Sequence, residues 1–340
     1  MGFSTTLIEW QKKHGRHDLP WQNTQDPYRI WVSEIMLQQT QVNTVRAYYQ
    51  RFMHAFPNVK ILAEATLDDV LALWSGLGYY RRARHLHAAA CRVHAWGTFP
   101  SSATELMTLP GIGRSTAAAI AAFAYGQRCA ILDGNVKRVL TRYFALTDPP
   151  LSLLWNLAEQ LLPTQDIASY TQGLMDLGSM ICTRTNPGCS ACPFHASCRA
   201  WSSGIFHAPV STRARMERPI WRSYLLLIQN QDGAWLMIKR PPSGVWAGLW
   251  SFPEECSDEG KKPGHSLGLD LVLASDPATL PPFRHLLTHR TWHFQPLLYR
   301  IDAPLPGESL AWFQLADIAA LAIPTPVRRL LPQLSSFPGE

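Results

Sequence analysis

Four cysteines within seventeen residues constrain this chain more than any other feature. Cys182, Cys189, Cys192 and Cys198 follow the spacing C-x6-C-x2-C-x5-C. Four thiolates in so short a loop can enclose one metal centre, and both zinc and a [4Fe–4S] cluster fit the ligand type. Zinc ribbons generally use two C-x2-C knuckles set far apart. Only one pair here is that close, which favours the cluster. Cys91, Cys129 and Cys256 are scattered. In an intracellular chain such a group reads as a metal site before it reads as disulfides.

A metal loop near residue 190 of a 340-residue chain leaves room for two domains. Hydrophobic residues make up 46%, which marks a globular protein. No apolar run approaches the roughly 18 residues of a membrane helix. The N-terminus carries Glu9 and amphipathic residues instead of a secretory apolar core. The expectation is a cytoplasmic protein, nucleoid-associated in a bacterium. Net charge is +6, unevenly spread. Residues 1–205 carry 18 Lys and Arg against 13 Asp and Glu, 206–222 carry four against one, and 223–340 carry 9 against 11. The positive potential sits on the first domain and the connector, which suits a polyanion such as nucleic acid.

Residues 1–200 read as nearly all helix. Asp26-Pro27 has the form of an N-cap with proline at the first helical position. It predicts a helix through Tyr28–Gln41, with Ile30, Glu34, Leu37 and Gln41 along one face. Ser102-Ala-Thr-Glu105 is a capping box, Ala117–Ala124 reads as a buried helix, and Asp133 stands where it could cap a helix over Val136–Phe144. A polar, basic connector follows, from 206 to 220. Beyond it, Ser223–Gln229, Ala234–Lys239 and Trp292–Ile301 read as strands. The expected architecture is a mainly α domain over 1–205 with the cysteine loop 182–198, then an α+β domain over 221–340.

Three features carry chemistry. Leu109-Pro110-Gly111-Ile112-Gly113 precedes the alanine-rich helix, and its glycines permit a tight hairpin exposing backbone N–H groups to a phosphate. Gly76-Leu77-Gly78-Tyr79-Tyr80 precedes Arg81, Arg82 and Arg84, and aromatics beside arginines suit stacking on bases. The third feature is a pair of acids. Glu34 in an apolar helix is either a surface residue or an acid of raised pKa. Asp133, in Ile131-Leu132-Asp133-Gly134-Asn135, is either a helix cap or a site residue.

Taken in order, these features resemble the helix-hairpin-helix glycosylase superfamily, its endonuclease III branch, and within it the MutY-type adenine DNA glycosylases. The resemblance rests on Leu19-Pro20-Trp21, Ser33–Val42, Gly76–Tyr80, Leu109–Thr116, Asp133–Leu140 and Met175–Gly178. It covers about residues 5–205 densely and the rest more loosely. Endonuclease III-like lyases carry a lysine directly after the hairpin Gly-Arg, whereas Arg114 here is followed by Ser115. A hydroxyl cannot form a Schiff base, so a monofunctional glycosylase is expected. Lys137 is a nearby amine to which no catalytic role is given. In the second domain, Val245–Pro253 is similar to the segment that precedes a Nudix box, but no Arg-Glu-x-x-Glu-Glu helix follows over 256–264.

The resemblance implies a substrate and a set of roles. The substrate is duplex DNA containing adenine opposite 8-oxoguanine or guanine, bound by a monomer. The base is flipped from the stack. Glu34 protonates it as general acid, Asp133 faces the oxocarbenium-like sugar, and Asn135 orders the site. Leu19, Trp21 and Gln172 line the adenine pocket, while Gln39 and Tyr79 fill or wedge the duplex. Gly111, Gly113 and Ser115 form the hairpin that meets DNA. The Nudix-like domain reads the lesion through Leu287-Thr288-His289, where the family has Phe-Ser-His. The four cysteines hold a [4Fe–4S] cluster whose loop presents Arg184 and Arg199 to phosphates. The rivals are an endonuclease III-like lyase acting on oxidised pyrimidines, a Nudix hydrolase, and a non-enzymatic iron–sulfur DNA-binding protein. Ser115 weighs against the first, the missing box against the second, and the presence of both acids against the third.

Overall fold

A computed structural model describes residues 2–205, 218–256, 277–301 and 310–335. The expected connector and the stretch after Cys256 fall largely outside these residues. The chain divides into two compact units, Met1–Ala65 with Arg84–Ala214, and Thr66–Ala83 with Arg215–Glu340. This division differs from a linear boundary near 205, because Thr66–Ala83 groups with the C-terminal part. Within that second unit, Ser75 and Tyr80 donate to the Ile323 carbonyl at 2.7 and 3.4 Å. No described helix is long and apolar enough to cross a membrane.

The first unit is helical. Its elements are α1 (Phe3–His14), α2 (Pro27–Leu37), α3 (Val42–Ala55), α4 (Val59–Glu64), and, after α5 (Leu67–Trp74) of the second unit, α6 (Arg81–Trp96), α7 (Ala103–Leu106), α8 (Arg114–Tyr125), α9 (Gly134–Tyr143), α10 (Leu151–Gln160) and α11 (Ile167–Asp176). A π-helical turn, Leu177–Ile181, continues α11 toward the cysteines, and α12 (Arg199–Ser202) follows them. The local signals act as expected. Asp26 accepts from the Tyr28 N–H at 2.9 Å and caps α2 behind Pro27. Ser102 and Glu105 complete a reciprocal capping box on α7. Small residues decide the close approaches. Ala117–Ala122 of α8 are all buried, and α2 packs on this helix. Gly173 admits Leu7 of α1, whose Cγ would lie 3.0 Å from an added Cβ.

One expectation fails. The helix predicted to reach Gln41 stops at Leu37. Gln38 turns aside so that its amide donates to Thr116 Oγ1 at 3.2 Å, and Gln39 takes a left-handed φ of 58°. Gln41 becomes the N-cap of α3. Residues 38–41 are Gln-Gln-Thr-Gln, so the helical spacing of Leu37 and Gln41 carries no apolar signal across them, and spacing alone extends the helix too far.

The second unit is built on a mixed sheet. Its strands are β1 (Ile220–Gln229), β2 (Trp235–Lys239), β3 (Trp250–Ser251), β4 (Glu254–Cys256), β5 (Ala278–Thr279), β6 (Phe283–Leu286), β7 (Thr291–Arg300) and β8 (Leu310–Phe313). The order is β3-β2-β1-β7-β5, with β4 on β1, β6 on β7 and β8 on β2. β1 and β7 run parallel over ten residue pairs, from Ile220↔Thr291 to Gln229↔Arg300. One sheet face buries Leu225, Leu227, Trp292 and Phe294 against Val327, Leu330 and Leu334 of α14 (Thr325–Leu334), which follows α13 (Leu315–Ile318). The other face buries Leu226, Ile228, Leu297 and Tyr299.

Candidate active site

α2 buries Ile30, Trp31, Val32, Ile35 and Met36. That leaves Glu34, on the same apolar helix, facing a cavity of about 930 Å³. Asp133, Asn135 and Ser115 line the same cavity, with Leu19, Trp21, Gln39 and Gln172 around them. A second cavity of about 600 Å³ shares Trp21, Glu34 and Gln172 with the first. Glu34 is only half-buried by its surface, since the cavities reach it. Its carboxyl is nevertheless surrounded by protein. Loss of hydration, and then the charge of Asp133, push its pKa up to about 8.

Asp133 caps a helix and also lines the larger cavity. Its Oδ1 accepts from the Val136 N–H at 2.8 Å and caps α9. Its Oδ2 takes the Asn135 amide at 3.3 Å. The segment leading to it is pinned by Ser115, whose hydroxyl accepts from the Leu132 N–H at 3.0 Å. Ser115 therefore does more than stand in for a lysine, because it helps set where Asp133 emerges. Lys137, on α9, is not among the residues lining either cavity.

The pocket walls are organised by groups that the motif reading left without a role. Asp176 is fully buried. It accepts from the Arg16 side chain at 2.7 Å and from the Gln172 amide at 2.9 Å, so it aims Gln172. The signal available in the sequence was a carboxylate four residues after Gln172, on the same helix face. Arg138 ties α9 to the following loop, donating to Asn135 Oδ1 at 2.8 Å and to the carbonyls of Gly178 and Cys182 at 2.6 and 2.7 Å. Gly178 is required here, since an added Cβ would lie 2.5 Å from Asn135 Cβ. Leu19 and Trp21 are buried, and Trp21 is edge-on to Tyr49 at 5.4 Å. Gln39 is exposed at the cavity with a positive φ, a conformation that costs a non-glycine residue about 1–3 kcal/mol.

The two hairpin glycines differ. Gly111 has φ 79°, and an added Cβ would sit 2.8 Å from His85 Cβ, so only glycine fits. Gly113 has an ordinary φ of −90° and open space around it at the N-cap of α8. That space leaves the first N–H groups of α8 approachable, as an anion requires. Arg114 stacks on Trp155 at 3.8 Å and pairs with Glu159.

The four cysteines lie in one loop, with Cys182 directly after the π-helical turn and Cys198 capping α12. Burial pushes the Cys192 thiol up to about 11, and Cys182, Cys198 and Cys189 each add to the rise, so the four thiols feel one another. Arg142 donates toward Cys182 Sγ at 3.4 Å and to the Thr183 carbonyl at 2.6 Å. Four thiols in one loop are the donor set that a zinc ion or a [4Fe–4S] cluster takes.

The remaining expected site residues belong to the second unit. Tyr79 is exposed with φ 50°, and the Arg82 guanidinium lies 5.2 Å from its ring centroid. Thr288 and His289 form the exposed tip of the turn between β6 and β7, closed by the Leu287 N–H donating to the Arg290 carbonyl at 2.9 Å.

Comparison with known proteins agrees with this arrangement. Residues 32–163 match the HhH-GPD superfamily of base excision DNA repair proteins, and 224–333 match the NUDIX domain. An adenine DNA glycosylase of Buchnera aphidicola subsp. Baizongia pistaciae is 34% identical, covering 98% of this chain and 97% of that protein. The adenine DNA glycosylase of Mus musculus is 36% identical over 93% of this chain and 75% of its own. The solved structure of a thermostable thymine-DNA glycosylase superposes with a TM-score of 0.56 at 29% identity, covering 59% of this chain and 95% of that one. A helical domain of the HhH-GPD superfamily, a Nudix domain built on a sheet, two acids on one cavity and end-to-end similarity to such relatives lead to one conclusion: the chain belongs to the adenine DNA glycosylase family.

Proposed function

We propose that the protein hydrolyses the N-glycosidic bond of adenine placed opposite 8-oxoguanine, or opposite guanine, in duplex DNA, and leaves the strand intact. The observation that carries this reading is the pairing of Glu34 and Asp133 on one cavity, with Glu34 raised to about 8. Adenine is a poor leaving group as an anion. Glu34, protonated at neutral pH, gives its proton to a ring nitrogen of the flipped base, so the base departs neutral. Asp133 faces the positive charge that develops on the sugar. Water adds at C1′ and passes its proton to the carboxylate that Glu34 has become, so the products are free adenine and an abasic deoxyribose and the acid is restored. Asn135 holds the Asp133 carboxylate, and Gln172, aimed by Asp176, meets the base edge. Leu19 and Trp21 shape the apolar walls, while Gln39 and Tyr79 occupy the space the base leaves. The hairpin at Gly111 and Gly113 holds a phosphate, and Thr288 with His289 reads the opposing lesion. Cys182, Cys189, Cys192 and Cys198 hold a [4Fe–4S] cluster of structural role, which steadies a loop presenting Arg184 and Arg199 to DNA. The enzyme acts as a monomer in the cytoplasm, at the nucleoid in a bacterium. Single-turnover excision from duplexes with adenine opposite 8-oxoguanine, guanine, cytosine and thymine tests the reading. Equal rates on all four pairs would overturn it.

A further inference from the structure

The register of the second unit's sheet assembles a basic row at one end. Arg222 of β1 pairs with His293 of β7, and His293 pairs with Arg284 of β6. Residues paired across strands share a sheet face, so the three side chains form a line over about 10 Å at ordinary strand spacing. All three are exposed. The next row toward the turn, Ile220, Thr291 and Leu286, is in register on the same face, with Ile220 and Leu286 52% and 57% exposed. Further along the strands the same face becomes apolar and buried, at Leu226, Ile228, Leu297 and Tyr299.

Arg284 and His293 of this row stand in residues 223–340, which carry fewer basic than acidic residues, 9 against 11. Lys239 and Arg240 of the second unit are paired, with Asp68 and Glu254. Among the described residues, no ion pair involves Arg222 or Arg284. Among the described residues, the nearest carboxylate in register, Glu255, stands opposite Tyr224 and is buried. The row also adjoins the turn that carries Thr288 and His289.

The geometry points to this sheet end as a docking surface for the sugar-phosphate backbone of DNA, with Arg222 and Arg284 each neutralising a phosphate and His293 offering a ring N–H between them. Guanidinium groups on long side chains rooted about 10 Å apart can each meet a separate phosphate, since one strand carries a phosphate per about 3.4 Å of helix axis. The inference deepens the proposed lesion-reading role of the turn and rests on it for the choice of DNA as partner. Phosphate contacts fix register, and contacts at the tip then read the base.

The test is the salt dependence of binding by the full chain, measured by fluorescence anisotropy on duplexes with adenine opposite 8-oxoguanine. Arg222→Gln with Arg284→Gln should reduce the slope of log Kd against log salt by about 1.8, since each phosphate contact contributes about 0.9. Arg222→Lys with Arg284→Lys keeps both charges and should keep the slope. An unchanged slope in the Gln pair, or an equal loss in the Lys pair, would overturn the inference. Thr288→Ala with His289→Ala should leave the slope alone while lowering the preference for 8-oxoguanine over guanine. If the unmodified chain showed no such preference, the lesion-reading proposal would fail, while the slope would still decide whether this surface binds DNA.

Discussion

Replacing Glu34 by Gln should make the protein less active and more stable, and the structure sets the size of both effects. The pKa of Glu34 is raised from 4.5 to about 8, first by lost hydration and then by Asp133. The folded state therefore holds this proton more tightly than the unfolded chain does. The charged form is the one that folding disfavours, so stability falls as pH rises from about 4.5 toward 8. At pH 7 the gap amounts to at most about 3 kcal/mol at 1.36 kcal/mol per pH unit, and water in the cavities lowers it. Glu34→Gln removes this penalty. Its melting temperature should match the parent near pH 4.5 and exceed it by several degrees at pH 8, given about 2–4 °C per kcal/mol. Excision by Glu34→Gln should drop by about 10²–10⁴-fold, the usual worth of a general acid, while DNA binding persists. In the parent, the single-turnover rate should be level below pH 7 and fall about tenfold per unit well above pH 8. Paired melting curves and rate profiles from pH 4.5 to 9.5 measure both. A stability difference that does not grow with pH, or a parent rate that stays level to pH 9.5, would refute the reasoning.

Asp133→Asn should also bind DNA and barely react, because electrostatic stabilisation of the developing cation is lost; a substrate with a more easily expelled base should rescue Glu34→Gln far more than Asp133→Asn, and equal rescue would remove the separate roles. The product strand should remain unbroken until treated with alkali or heat, as gel analysis would show, since Ser115 provides no amine; strand nicking as fast as base release would contradict this. Thr288→Ala with His289→Ala should reduce the ratio of rates opposite 8-oxoguanine and guanine while leaving the rate opposite guanine nearly intact, and an unchanged ratio would count against the turn as lesion reader. The purified protein should be yellow-brown and contain iron and acid-labile sulfide in equal amounts; a colourless, active protein with stoichiometric zinc would overturn the cluster.

Much of the helical domain was legible in the sequence, because its signals act over a few residues. Asp26-Pro27, the Ser102–Glu105 capping box and the small-residue run of α8 each specify local backbone geometry. Three strands of the second unit, β1, β2 and β7, were legible for the same reason, from β-rich runs. The motifs also pointed to Glu34 and Asp133, although neither residue taken alone distinguishes a helix cap or surface acid from a site group.

What only the tertiary structure decided are the relations between distant segments. It joined Glu34 of α2 to Asp133 before α9 on one cavity, placed Asp176 behind Gln172, and used Ser115 to pin Leu132. It grouped Thr66–Ala83 with the C-terminal part of the chain, and it set Arg222, His293 and Arg284 in register across three strands. It also ended α2 at Leu37, where the Gln38 bond to Thr116 and the turn at Gln39 close the helix. Caps, turns and periodicity are set by neighbours within a turn or two of backbone. A shifted pKa, a shared cavity or a cross-strand row instead depends on burial and distance between residues far apart in the sequence, and these quantities exist only once the chain has folded.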